Sequence, residues 1–167
     1  MRGPLASLLL AAVVGDACAQ DAAKVDRIEI VETGIYRAET ASIESSPGTA
    51  SRQRNILSDT RLIAATTSIE AKLGVHFGMR YRVVGRPNLA TVKLLSVTQY
   101  PAPGLKNPKS MAVQTRGEHP LSATIGQINY RGYVFEHDWE LVAGAWTFEL
   151  WDGNRKLASQ TFDVVKP

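Results

Sequence analysis

The sequence predicts an all-β protein, an antiparallel two-sheet β-sandwich, on three observations. Apolar and polar residues alternate with period two over several stretches, the spacing at which strand side chains point to opposite faces. No stretch carries a sustained helical period with caps. Gly, Pro, Asn and Asp cluster between the alternating runs, where turns belong. About six to eight strands in one chain of this size fit a sandwich, with a closed barrel as the alternative.

The chain opens "MRGPLASLLLAAVVGDACAQDAAK". One charge at Arg2, an apolar run from Leu5 to Val14 and the small-residue pattern Ala17-Cys18-Ala19 are the parts of a secretory signal. The apolar run is too short to span a bilayer. Cleavage is expected after Ala19, leaving residues 20–24 as a short extension and 25–167 as the β-sandwich domain. Lipid anchoring through Cys18 is disfavoured, because Gly15 and Asp16 occupy positions where a bulky aliphatic and a small residue belong. Cleavage would remove Arg2 and Asp16, one charge of each sign, so the net charge stays +3. It would also remove Cys18, the one cysteine, so no disulfide supports the fold and the apolar core must hold it. A chain of this length buries roughly 68–70% of its unfolded surface, enough for one such core.

The elements follow in order. "DRIEIVETGIY" reads as a strand with Ile28 and Ile30 on one face and an interruption at Gly34. "TASIESSPGTASRQ" (40–53) is polar and turn-rich, the composition of a loop. "RQRNILSDTRLIAATTSI" (52–69) is the best helical candidate, yet its β-branched residues favour a strand from about Arg61. "KLGVHFGMRYRVVG" puts Leu73, Val75, Phe77, Met79, Tyr81 and Val83 on one face of a half-buried strand. Gly78 inside it marks a bulge or a close neighbouring backbone. After a turn at Gly85–Asn88, "ATVKLLSVTQY" aligns Val92, Leu94, Ser96 and Thr98. Residues 101–123, with Pro101, Pro103, Pro108 and Pro120, read as a long loop.

All three tryptophans fall within "YVFEHDWELVAGAWTFELWDG" (133–153). Tyr133, Phe135, His137, Trp139 and Leu141 share one parity, so a strand over 133–141 would place Trp139 in the core. Trp146, Phe148 and Leu150 line the inner face of the returning strand. Asp152–Arg155 forms a hairpin turn, and "KLASQTFDVV" closes the fold with Phe162 and Val164. Trp151 has the opposite parity and is expected on the outer face with Thr147 and Glu149.

The stretches "LGVHFGMRYRVVGRP", "GLKNP" and "DWELVAGAWTFELWDGNRKLASQTF", with the opening "IEIVETGIY", resemble a bacterial domain-of-unknown-function family, the one numbered 3859. The resemblance runs from about Val25 to Val165. It implies an exported, immunoglobulin-like sandwich and brings no catalytic or binding residue.

Few chemistries have their residues here. No Gly-x-Gly or Gly-x-Ser-x-Gly occurs, so dinucleotide, phosphate-loop and nucleophile-elbow readings lack their motif. The charge is small and ungathered, which argues against nucleic acid. His76, His119 and His137 share no short ligand spacing, and no metal or other cofactor is expected. Asp138 follows His137 directly and on a strand would point away from it, so no catalytic pair forms. Glu136, Asp138, Glu140 and Glu149 are expected on one outward face, paired with Arg80 and Arg82 of a neighbouring strand. Trp151 is the one candidate binding residue, because an outward tryptophan leaves a large apolar surface in water. The expected function is a non-enzymatic binding or accessory module whose partner is another envelope or secreted protein, with no nucleic acid and no membrane span. A structural or assembly subunit of the envelope is the alternative, and an envelope-polymer hydrolase stands behind both.

Overall fold

The computed structural model describes residues 22–167; the expected signal segment, its cleavage point and Cys18 lie outside the described residues. In chain order the strands are β1 (Lys24–Ser45), β2 (Gln53–Ala64), β3 (Ser68–Glu70), β4 (His76–Arg86) and β5 (Thr91–Gln99). They continue as β6 (Leu105–Lys106), β7 (Val113–Gln114), β8 (Arg116–Thr124), β9 (Ile128–Val134), β10 (Gly144–Asp152) and β11 (Arg155–Val165). One sheet has the order β2-β1-β4-β9, the other β3-β11-β10-β5-β8, and β6 pairs with β7 as a small ribbon. Pairing is antiparallel except where the short β3 lies parallel to β11. No α-helix occurs among the described residues.

The alternation places the core where the sequence predicts it. Phe77, Met79, Tyr81 and Val83 from β4 meet Trp146, Phe148 and Leu150 from β10 and Phe162 from β11, all fully buried. Phe77 sits at the centre, with ring centroids 5.4 Å from Phe148, 5.3 Å from Phe162 and 5.2 Å from Phe135. Stacked, tilted and edge-on pairs at these separations add about 0.5–1.5 kcal/mol each beyond their area burial. Leu73 is exposed instead, because β4 starts only at His76 and Leu73 lies in the turn before it.

Three expectations need correction. Residues 53–64 form β2 rather than a helix, and the strand begins well before Arg61; the segment satisfies its backbone against β1 from Ile35 to Ser45. Residues 40–53 are half strand, since β1 runs to Ser45 and the turn is confined to residues 46–52, between Ser45 and Gln53. Residues 101–123 contain β6, β7 and most of β8. Pro120 is accommodated there because β8 is an edge strand, with β5 as its one ladder partner in the sheet.

β1 is the unusual element. Its 22 residues would stretch about 70 Å if straight, far longer than a domain of this size, so it has to bend. Its first half pairs with β4, from Lys24 opposite Arg86 to Tyr36 opposite His76. Its second half leaves β4 and pairs with β2 through three register shifts. The change of partner falls at Gly34, where a Cβ would lie 2.0 Å from the carbonyl oxygen of Ala64. Only glycine allows β2 to approach that closely.

The resulting β1–β2 ribbon folds across the first sheet and reaches the second. The Arg80 guanidinium donates to the Thr60 carbonyl under it. At its tip, the Asn107 amide donates to the Ala50 carbonyl at 2.9 Å and the Glu118 N–H to the Gly48 carbonyl at 2.8 Å. Arg54 donates to the Pro120 carbonyl at 3.2 Å, and Asn55 to the Glu136 carboxylate at 2.8 Å.

Candidate functional site

Between that ribbon and the edge strands β8 and β9 lies a cleft of about 450 Å³. Three elements supply its walls: β2 with Ile56 and Leu57, β8 with His119, Leu121 and Ser122, and β9 with residues 130–134. Parity sets what β9 contributes. Arg131 and Tyr133 turn inward between the sheets, while Tyr130, Gly132 and Val134 face the ribbon.

The outward side depends on a pair of glycines. Gly78 of β4 stands opposite Gly132 of β9, and the Tyr130 side chain lies across both. A Cβ on Gly132 would meet the Tyr130 hydroxyl at 2.0 Å, and one on Gly78 would meet the Gly132 Cα at 2.6 Å. The close backbone neighbour predicted for Gly78 is therefore the β9 strand. Tyr130 packs edge-on against the buried Tyr36 at 4.9 Å, and its hydroxyl has no hydrogen-bond partner.

Arg131 is the unexpected residue on the inward side. It is 6% exposed, yet its guanidinium lies within ion-pair distance of no carboxylate among the described residues. Its Nε donates to Ser96 Oγ at 2.5 Å, one terminal nitrogen donates to Thr98 Oγ1 at 2.5 Å, and the other donates to the Gly132 carbonyl. The Phe148 ring lies below it, 4.5 Å from centroid to guanidinium carbon, close enough for a cation–π contact. This explains why Ser96 and Thr98 share the inner face of β5 with Val92 and Leu94. They are the acceptors for a charge held between the sheets.

The other polar groups of the cleft are engaged locally. Glu140 is 1% exposed and accepts hydrogen bonds from the Tyr133 hydroxyl (2.7 Å) and the backbone N–H groups of Glu136 (2.7 Å) and His137 (2.9 Å). Burial pushes its carboxyl above the ordinary value, and the Tyr133 hydroxyl and the two amides pull against that rise. His119 is pushed down to about 3 by burial first, then by the positive charges of Arg131 and Arg54, so its ring is neutral at pH 7. Burial also lowers His76, against the opposing charge of Glu136.

The predicted site residues are placed as follows. Trp151 lies half-buried on the outer face of the second sheet, apart from the cleft. Its Nε1 donates to Glu149 at 2.9 Å, and the Lys156 ammonium stands 5.6 Å from its ring centroid. Trp146 is fully buried, and Trp139 is half-buried at the margin of the core, stacked on His137 with centroids 5.4 Å apart. The expected strand over 133–141 is wrong: β9 ends at Val134 and a 3-10 turn spans Asp138–Glu140. The four carboxylates consequently share no outward face, and both Glu140 and Glu149 are buried. Arg80 pairs instead with Glu32 at 3.2 Å and Arg82 with Glu29 at 3.9 Å, both on β1. His76 and His119 both line the cleft, whereas His137 does not. Among the described residues no group of three His, Cys, Asp or Glu is placed to hold a metal ion.

Two stacked sheets, a shared aromatic core and a polar cleft at one edge define an immunoglobulin-like β-sandwich. Residues 24–164 match the family described as Domain of unknown function (DUF3859), and the chain belongs to that family. Among solved structures, an immunoglobulin-like protein from Pseudomonas aeruginosa is similar at 26% identity with a TM-score of 0.57. The similarity covers 88% of this chain and 99% of that one. No curated protein matches.

Proposed function

We propose that this protein is an exported, non-enzymatic binding module and that the cleft between β2, β8 and β9 is where it binds. The observation that carries the reading is Arg131, a buried cation at the cleft wall with no carboxylate partner among the described residues. Buried charges are ordinarily paired, and a site kept open to an incoming ligand is one reason for leaving one unpaired. Binding is favoured over catalysis because the other charged groups of the cleft are engaged in holding its walls, Glu140 by Tyr133 and Arg54 by Glu44. The signal-like opening "MRGPLASLLLAAVVGDACA" supports the export part of this reading, and a further contact with another envelope or secreted protein would use the face around Trp151.

Native mass spectrometry of the protein isolated under mild conditions from an envelope extract tests the site. Leu121 shares the face of β8 that carries His119 and lines the cleft, so Leu121→Trp fills the cleft while leaving Arg131 in place. A bound small molecule should remain on the wild type and on Trp151→Ala, and be absent from Leu121→Trp. The converse pattern would move the site to the outer face of the second sheet.

A further inference from the structure

The charges around the cleft leave one cation without an opposite partner among the described residues. Glu140 is enclosed by three donors, Glu136 accepts from Asn55, and Arg54 donates to Glu44 at 2.6 Å as well as to the Pro120 carbonyl. Arg131 has only neutral acceptors: Ser96, Thr98 and the Gly132 carbonyl. A guanidinium carries five N–H donors, and these three bonds leave donors free. A buried cation satisfied only by neutral groups is the condition that an oxyanion relieves, since it supplies both charge and acceptors in the geometry arginine matches best.

Two further features agree. The Tyr130 side chain lines the cleft, and its hydroxyl, buried over Gly132, has no partner of its own. Neutral His119 adds hydrogen-bonding capacity beside Arg131 without a second buried charge. The cleft of about 450 Å³ is far larger than an inorganic ion and falls within the range of sites for small organic ligands. Among the polar residues of its remaining wall it offers three apolar ones, Leu57, Leu121 and Val134, each half-buried.

We propose that the cleft takes a small organic anion, with a carboxylate or phosphate group seated against Arg131 and an apolar body against Leu57, Leu121 and Val134. The inference rests on the cleft being the binding site and adds the chemistry of what enters it.

The test titrates the purified protein with benzoate, phenyl phosphate and benzamide, the last being the uncharged counterpart of benzoate. Amide shifts of Thr98 and Gly132 and the Nε signal of Arg131 report occupancy. At least one anion should saturate these shifts about tenfold or more tightly than benzamide, the usual margin for a charge-assisted hydrogen bond. Which anion does so separates a carboxylate from a phosphate ligand. Leu121→Trp should abolish the shifts, and Arg131→Lys should weaken them about tenfold or more, since lysine cannot reproduce the planar fork. Anion binding should also raise the titration point of His119, by offsetting the field of Arg131. Benzamide binding as tightly as either anion would overturn the anion assignment while leaving the cleft as a site. Saturable shifts that persist in Leu121→Trp, or none with any probe, would overturn both.

Discussion

Trp146→Ala is expected to lower the unfolding free energy by about 3–5 kcal/mol, the range for removing a large buried aromatic side chain. Trp146 joins the two sheets. Its ring lies 5.0 Å from Tyr133 and 5.5 Å from Phe135 of the first sheet's chain segment, 5.2 Å from Tyr100 and 6.0 Å from Phe77. Its Nε1 donates to the Val142 carbonyl at 2.8 Å, which ties the turn before β10 to the core. Alanine would remove all four aromatic contacts and leave that carbonyl without its donor. No disulfide can offset the loss, since Cys18 is the only cysteine. For a domain of this size the melting temperature should fall by roughly 6–20 °C. Urea denaturation and thermal melts of the two proteins measure it. A change below about 1 kcal/mol would mean that the sheets do not share this core.

Glu140→Ala is expected to cost about 3 kcal/mol, although the side chain is a carboxylate and an exposed carboxylate would cost almost nothing. The reason is the three donors that converge on it: the Tyr133 hydroxyl and the N–H groups of Glu136 and His137. Without Glu140 they are left in a largely buried setting, where each unsatisfied donor costs about 1–3 kcal/mol and part is recovered by water. The effect should also be local. Tyr133, Glu136 and Glu140 all line the cleft, so hydrogen exchange at the amides of Glu136 and His137 should accelerate far more than exchange in β10 or β11. Uniform acceleration, or none, would show that the carboxylate does not hold this turn.

Period-two alternation carried β4, β5, β10 and β11, because each has one face on the shared core and its side chains must alternate. It could not carry the β1–β2 ribbon. Residues 40–45 and 53–61 leave the sheet and are exposed or half-buried on both faces, so no apolar face marks them as strand. β8 was hidden by Pro120, which reads as a loop residue until the edge position of the strand is known. The extension of the 133–141 strand failed because parity persists by coincidence past Val134, while the Glu140 carboxylate captures two backbone N–H groups and turns the chain.

The site was less legible than the fold. Trp151 drew attention through the outward position its parity predicts, but it is half-buried, and Lys156 and Glu149 already occupy one side of its ring and its polar edge. Arg131 was the residue to find, and a signal existed. In "INYRGYVF" it shares the parity of Tyr133 and Phe135, which places a guanidinium on the inner face, and Ser96 and Thr98 are the polar positions on the inner face of β5 that answer it. Glu140 gave no such signal, because its burial depends on a turn that alternation does not encode.

The most direct test of a cation buried at the cleft wall is the exchange of arginine Nε–H protons with water, followed by nitrogen-edited NMR. One signal, lost in Arg131→Lys, should exchange far more slowly than those of the exposed arginines, because that N–H is held by Ser96 between the sheets. If every arginine signal exchanges at the same fast rate, Arg131 lies in water, and the cleft has no buried charge to offer a ligand.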